Sequence, residues 1–180
     1  TWIEEDPDMF EEVARAAVAK LSRGPLFIDD TPELEIVDFL CKVNKVVKEE
    51  GVRLIVIDCF QFMRDSKSFP ACGQHEEEMA CIAESLKKAA EELRVPIIVL
   101  SPIQRGTDRP QMDDLLDSKE LIEMADVVIL MHNGIWMGEV EAPISGEFII
   151  AKNTHGSIGT AELTCDLNQG KFYEKETNDI

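Results

Sequence analysis

Basic side chains are scarce in this sequence, with 18 lysines and arginines against 36 aspartates and glutamates in 180 residues. The formal net charge of −18 has the wrong sign for a surface that binds nucleic acid by itself, because lysine and arginine supply the affinity for phosphate. Any DNA contact must therefore come from a few local basic groups that assembly of several copies repeats. We expect a single copy of the chain to bind DNA poorly.

Long apolar runs and clustered aromatic residues are also missing. No stretch approaches the roughly 20 apolar residues that a membrane span needs, so no membrane role is expected. Trp2, Trp136 and Tyr173 are too scattered for a platform on which bases stack. The five cysteines are an odd number without CxxC spacing, which predicts reduced, buried thiols and a cytoplasmic location. Thr1 in place of methionine predicts that position 1 is a cut point or the first ordered residue rather than a natural start.

Helical and strand-like segments alternate along most of the chain. Apolar spacing predicts a first helix that Asp6 caps, with Pro7 in its first turn and Gly24 just beyond its end. The same signals predict further helices over residues 34–50, 76–94 and 117–124. Apolar runs predict strands over residues 25–29, 52–58, 96–101, 126–131, 147–152 and 160–166. This order predicts a single α/β domain over residues 1–180, with a mainly parallel sheet flanked by helices and a C-terminal β-hairpin. Because the runs at 54–57, 97–100 and 127–130 are continuous, we expect those strands to be covered on both faces.

Polar residues follow the strands at the positions where open parallel sheets carry their active sites. Asp58 ends one apolar run, Ser101 ends the next, and Lys152 and Thr154 follow a later strand. A lone aspartate after a buried strand is typical of nucleotide-hydrolysing folds, where it holds Mg²⁺. The alternative is an aspartate that only caps a turn, since aspartate is a favoured turn residue.

Several motifs resemble one family. LIVIDCFQFM at 54–63 resembles the Walker B segment LIVIDYLQLM of DnaB-type replicative DNA helicases, and PLFIDDTP at 25–32 resembles their PLYIDDTP. Similarly, DDLLDSKELIEMAD at 113–126 resembles SDLRESGAIEQDAD, and IAKNTHGSIGT at 150–160 resembles IAKQRNGPTGT. The likeness extends from about position 2 to position 172, so the chain is similar to the rear part of a C-terminal RecA-like ATPase domain.

The resemblance implies a role for several residues at a nucleotide site. Asp58 would be the catalytic-site residue that holds the Mg²⁺ of ATP through water, with Ser101 and Gln104 beside the nucleotide. Lys152 would reach the nucleotide of a neighbouring subunit. The family implies ATP and Mg²⁺ as ligands, single-stranded DNA as a partner, and self-association into a hexameric ring.

The resemblance also implies a DNA-facing loop over residues 105–113. In the family this loop lines the central channel and holds the backbone of single-stranded DNA. Arg105 and Arg109 are the only basic residues of the loop in this sequence. They are therefore the expected DNA-binding residues.

Several family features are missing from the sequence. No GxxxxGK[ST] P-loop is present, so we expect the RecA-like core to lack the P-loop strand and helix and the 180-residue chain to be inactive by itself. Pro102 replaces a family glutamine, Leu116 an arginine, and Thr154 the arginine finger. An arginine finger contributes about 10³–10⁵ in rate.

Three interpretations remain open at this point. The chain is part of a helicase motor, or a catalytically inactive RecA-like module that keeps assembly surfaces only, or another ATPase of the RecA and KaiC group. In the family the P-loop strand lies inside the sheet. We therefore expect either that its two neighbours close on each other or that another segment or a second copy fills the gap.

Overall fold

The structure is a computed structural model that describes residues 7–66, 68, 75–103, 109–115, 119–133, 144–166 and 170–174. Its helices are α1 (Pro7–Leu21), α2 (Ile36–Glu50), α3 (His75–Leu93) and α4 (Lys119–Met124), with 3-10 turns at Phe60–Phe62 and Met112–Asp114. Its strands are β1 (Ile55–Asp58), β2 (Ile97–Leu100), β3 (Val127–Asn133), β4 (Ile144–Asn153), β5 (Gly159–Asp166) and β6 (Lys171–Glu174). No described helix has both the length and the apolar character needed to cross a membrane.

The predicted helix over residues 34–50 is confirmed, and its end shows why it stops. Gly51 adopts a left-handed backbone with φ 68°, and its N–H donates to the carbonyl oxygen of Val47 at 3.1 Å. Glycine adopts this conformation without a steric penalty, because it has no Cβ atom. At the other end of α2, the side chains of Ile36 and Phe39 are buried and point into the core.

The core lies between α2, α3 and one face of the β1–β2 pair. Its buried members include Ile55 from β1, Met79 and Ile82 from α3, and Phe60 from the turn after β1. Phe60 and Ile82 are fully buried. The buried side chains recur at three- and four-residue spacing along α3, as the sequence predicts for a helix with one buried face.

The sheet is divided into two parts, which corrects the prediction of a mainly parallel sheet. Strands β1 and β2 form a parallel pair, whereas β3, β4, β5 and β6 form a separate antiparallel sheet in that order. Among the described residues, β2 and β3 share no ladder of hydrogen bonds. Of the two alternatives expected for the gap, closure of the neighbouring strands on each other is not what the structure shows, and the division falls between β2 and β3.

The prediction that the three apolar strands are covered on both faces is also wrong. Val56, Ile98 and Ile129 are 56%, 47% and 53% exposed, while the residues that alternate with them point toward covered faces. The physical reason is that α2 and α3 pack on one face of the β1–β2 pair only. In the part of the chain that the structure describes, the opposite apolar face has no layer of helices over it.

The predicted strand over residues 25–29 does not form. Leu26, Phe27 and Ile28 are more than half exposed, and no described strand pairs with this segment. A strand needs a partner for its backbone N–H and C=O groups. The segment is instead fixed at Asp29, whose carboxylate accepts a hydrogen bond from Lys42 Nζ at 2.6 Å, and this bond lowers the pKa of Asp29 to about 2.

The described cysteines only partly match the predicted buried thiols. Cys41, Cys59, Cys81 and Cys165 are all free. Cys165 is buried, and its burial raises the pKa of the thiol. Cys41 is exposed, so burial is not a shared property of these residues.

Candidate functional site

Asp58 and Ser101 meet at one edge of the parallel pair, as predicted from their positions after two strands. Asp58 pairs in register with Leu100, which places Ser101 immediately beyond it at the same carboxyl edge. The Asp58 side chain is exposed, and the Asp58–Cys59 peptide bond is cis. An exposed carboxylate at this edge is chemically suited to contact a hydrated cation.

Gln61 is a site residue that the sequence interpretation did not single out. It lies in the 3-10 turn after β1, and its Nε2 donates a hydrogen bond to Ser101 Oγ at 2.9 Å. This bond joins the ends of the two parallel strands. Its place three residues after Asp58, inside the segment that resembles Walker B, is the signal that could have identified it.

The turn that carries Gln61 is held by buried side chains and by hydrogen bonds. Phe60 and Met63 are buried in the core, and the Arg64 guanidinium donates to the carbonyl oxygen of Gln61 at 2.9 Å. Backbone bonds join the same turn to the start of α2: Ile36 N–H donates to the Arg64 carbonyl oxygen at 2.8 Å. These contacts join the edge that carries Asp58 to the core and to the start of α2.

Lys152 lies on β4 and contacts the end of α4. Its ammonium group donates to the carbonyl oxygens of Ile122 at 2.8 Å and Glu123 at 2.9 Å. The last carbonyls of a helix have no partner inside the helix and carry a partial negative charge, so a lysine stabilises them. The predicted contact of Lys152 with a neighbouring subunit's nucleotide stays a prediction, and here its ammonium is engaged within the chain.

Asp126 joins this region to α3. It accepts a hydrogen bond from Lys87 Nζ at 2.6 Å, which lowers the pKa of Asp126 and raises that of Lys87. His155 Nε2 lies 3.8 Å from the same carboxylate. Thr154, at the position of the family's arginine finger, donates its backbone N–H to the Asp126 carbonyl oxygen at 2.9 Å. A threonine hydroxyl cannot supply the positive charge of a guanidinium.

Arg109, one of the two predicted DNA-binding residues, contacts the antiparallel sheet. Its Nε donates to Glu147 Oε2 on β4 at 2.9 Å, and a terminal nitrogen donates to Thr160 Oγ1 on β5 at 2.9 Å. Its side chain remains 57% exposed. The other predicted residues of this region, Gln104 and Arg105, lie outside the described residues, as does Leu116.

A match to one family model shows the family of this chain. The model of the family described as the DnaB-like helicase C terminal domain matches residues 4–174. The chain belongs to this family.

Curated relatives of this DnaB-like chain are named replicative DNA helicases. The chain is 32% identical over 166 residues to "Replicative DNA helicase DnaB" of Geobacillus stearothermophilus and 34% identical over 168 residues to "Probable replicative DNA helicase" of Trieres chinensis. These alignments cover 89% and 87% of the chain. They cover 36% of each relative, so the chain spans about a third of their length.

Solved structures agree with this assignment. The chain matches a DnaB-like replicative helicase, described together with its interactions with primase, with a TM-score of 0.77 and 28% identity. That match covers 90% of this chain and 41% of the solved one. A second solved structure, described as an ATPase domain, matches with a TM-score of 0.66 and 29% identity, over 79% of this chain and 52% of the solved one. The mixed α/β core is therefore that of a DnaB-like ATPase domain.

The candidate site at Asp58 and Ser101 fits Mg²⁺ only in part. Asp58 provides exposed carboxylate oxygens at the edge that also carries Ser101, which suits a cation that keeps most of its water ligands. Within the described ranges, no three His, Cys, Asp or Glu side chains come together as a metal-binding group. The sequence also contains no GxxxxGK[ST] loop to hold phosphates. These residues suit the part of a nucleotide site that contacts the cation, which we call the cation end. They do not form the part that holds the phosphates, which we call the phosphate end.

Proposed function

We propose that residues 1–180 are a single-domain fragment of the motor of a DnaB-like replicative helicase, which couples ATP hydrolysis to the unwinding of duplex DNA. The observation that carries the proposal is the shared edge of Asp58 and Ser101 in a chain of this family. A cytoplasmic location accompanies the proposal and is supported by the four free cysteines among the described residues.

Each proposed site residue has one role in the reaction. Asp58 would hold the Mg²⁺ of ATP through water, and Ser101 and Gln104 would contact the nucleotide. Gln61 positions Ser101 through the bond between their side chains. Lys152 reaches the nucleotide of the next subunit in a hexameric ring. Bound Mg²⁺ would neutralise charge on the transferred phosphoryl group.

We propose that a P-loop strand and helix complete this domain in the working protein. The division between β2 and β3 supports this, because a strand inserted there would pair with both. The exposed apolar side chains of Val56, Ile98 and Ile129 support it as well, because a layer of helices would cover them. The relatives contain ample sequence for such a unit beyond the third of their length that this chain spans.

A second candidate function is a catalytically inactive RecA-like module that keeps the assembly surfaces. Three observations favour it. Thr154 cannot act as an arginine finger, and the ammonium group of Lys152 is engaged with α4. Pro102 in place of the family's glutamine also favours an inactive module. Pro102 and Thr154 both lie far in sequence from any P-loop unit.

The two candidates differ in ATP hydrolysis by the natural gene product. We expect the gene upstream of the codon for Thr1 to encode GxxxxGK[ST], and the product to hydrolyse ATP faster when single-stranded DNA is added. Asp58→Asn should lower kcat by about 10²–10³, because a displaced Mg²⁺ loses several kcal/mol of charge stabilisation. Asp38→Asn, on the exposed side of α2, is the matched control and should leave kcat unchanged. A product without the loop, or without hydrolysis, supports the inactive module instead.

Binding of single-stranded DNA by the 180-residue chain should be very weak. With a net charge of −18 and only Arg105 and Arg109 in the proposed channel loop, we expect no measurable binding of a labelled oligonucleotide at physiological salt. Fluorescence anisotropy measures this directly. Sub-micromolar binding that Arg105→Ala leaves unchanged would show that the DNA contact lies elsewhere on the surface.

A further inference from the structure

The turn between β4 and β5 is fixed to one residue outside it. We call residues 154–158 the β4–β5 turn. The N–H of Thr154 donates to the Asp126 carbonyl oxygen at 2.9 Å, and His155 Nε2 lies 3.8 Å from Oδ1 of the Asp126 carboxylate. The backbone and the side chain of Asp126 therefore both contact the same turn.

The same carboxylate oxygen of Asp126 also contacts α3. Lys87 Nζ, on that helix, donates to Asp126 Oδ1 at 2.6 Å. This hydrogen bond is the main reason that the pKa of Asp126 is lowered and the pKa of Lys87 is raised, so both groups keep their charges across the neutral range. Only 29% of the Lys87 side chain is exposed, which places this lysine against the protein surface. Asp126 thus links α3 to the β4–β5 turn.

This link crosses the division between the two sheets. Helix α3 packs on the β1–β2 pair through buried side chains such as Met79 and Ile82, whereas the β4–β5 turn belongs to the antiparallel sheet. Because β2 and β3 share no ladder among the described residues, backbone pairing does not join the two sheets at that point. The bond between Lys87 and Asp126 therefore contributes to the connection, together with the packing of α4 against α3.

Inside the β4–β5 turn, the side chain of Asn153 closes the backbone. Its Oδ1 accepts a hydrogen bond from the N–H of His155 at 3.1 Å, and its Nδ2 donates to the Ser157 carbonyl oxygen at 3.2 Å. A Cβ atom on Gly156 would lie 2.9 Å from Asn153 Nδ2, so a larger residue there would displace the amide. The turn is thus held in shape by its own bonds, and its contacts with Asp126 fix where it stands on the domain.

We propose that Asp126 is a positioning residue that fixes the β4–β5 turn to α3. Lys87 then acts on the turn through Asp126, since its described bonds are to Asp126 and Glu91 rather than to the turn. The consequence for the reaction rests on the proposed function, in which Thr154 stands at the position of the family's arginine finger. Asp126 would then determine the placement of that position relative to the core.

Amide hydrogen exchange of the natural gene product, without nucleotide, tests this link. Asp126→Asn keeps the backbone acceptor and the shape of the side chain, and it should raise exchange in residues 154–158 by about threefold, the size typical of a partly exposed ion pair. Lys87→Met should raise exchange at the turn by a similar factor. Lys87→Arg should leave it unchanged, because arginine keeps the charge.

A matched control and a double variant separate action through Asp126 from a general loss of stability. Lys88→Met removes the same charge one position along α3, from a lysine that pairs with Glu92, and should leave the turn unchanged. Combining Lys87→Met with Asp126→Asn should raise exchange by about threefold and not by the roughly ninefold product of two independent effects. The reason is that each variant removes the same bond.

Unchanged exchange at the β4–β5 turn in either Asp126→Asn or Lys87→Met would overturn the proposal, and so would the full product in the double variant. An equal rise with Lys88→Met, or a rise with Lys87→Arg as large as that with Lys87→Met, would also overturn it. None of these measurements uses ATP. A failure of this link is therefore distinguishable from a failure of the proposed helicase function, which the hydrolysis assay of the gene product decides.

Discussion

Replacing Phe60 with alanine should lower the free energy of unfolding by about 3–5 kcal/mol, since a fully buried aromatic side chain leaves a cavity when it is removed. Phe60 has no exposed surface and packs with Ile55, Met79 and Ile82 in the core. It lies two residues after Asp58. The loss of Phe60 should therefore loosen the edge that carries the candidate nucleotide site as well as destabilise the domain.

Phe62→Ala is the matched control for this experiment. Phe62 lies in the same 3-10 turn, but its side chain is 61% exposed. We expect the control to cost less than about 1 kcal/mol, because little surface is buried at this position. Equilibrium urea unfolding of both variants at low protein concentration measures the difference. Equal losses for the two variants would show that the apolar face around Phe62 is covered in solution, contrary to the structure.

The helices could be predicted well because their determinants are local. The spacing of Ile36 and Phe39, the glycine at position 51 and the acidic first turn of α3 lie within the segments they define. The order of strands and helices, and the motifs around Asp58, pointed to the family that the comparisons confirm. The meeting of Asp58 and Ser101 at one edge followed from the geometry of parallel strands.

The environment of the strands could not be predicted from their own residues. The run of β-branched residues in β1 is typical of a strand covered on both faces, but Val56 is 56% exposed, since coverage depends on what packs there. The same holds for the predicted strand over residues 25–29, which is mostly apolar and yet pairs with no described strand. Apolar composition shows what a strand is suited to, whereas the neighbouring layers decide whether the strand is paired and covered.

Side-chain partners far apart in the sequence were also beyond prediction. Arg109 and Glu147 are separated by 38 positions, and Lys152 and Ile122 by 30. The register between β3 and β4 shifts between Val128 and Ile129, and no residue of β4 specifies that shift by itself. The basic residues could be named as candidates from the sequence, but their contacts required the register of the sheet.

The second prediction with a large expected effect concerns the binding of ATP. In the proposed site Asp58 would hold Mg²⁺ through water, and it would contribute little affinity unless the phosphates were fixed nearby. In nucleotide-hydrolysing folds the backbone N–H groups and the lysine of a P-loop supply that fixation. This chain contains no GxxxxGK[ST], and its net charge of −18 repels a polyphosphate. We therefore expect the 180-residue chain neither to bind Mg·ATP tightly nor to hydrolyse it.

Isothermal titration of Mg·ATP tests the central claim, that these residues form the cation end of a site whose phosphate end is supplied by another segment. The 180-residue chain should show no saturable heat up to about 1 mM nucleotide, which corresponds to a binding free energy weaker than about −4 kcal/mol. A form of the protein extended upstream to include a P-loop should bind in the micromolar range, and Asp58→Asn should weaken that binding. Micromolar affinity in the 180-residue chain by itself would contradict the claim.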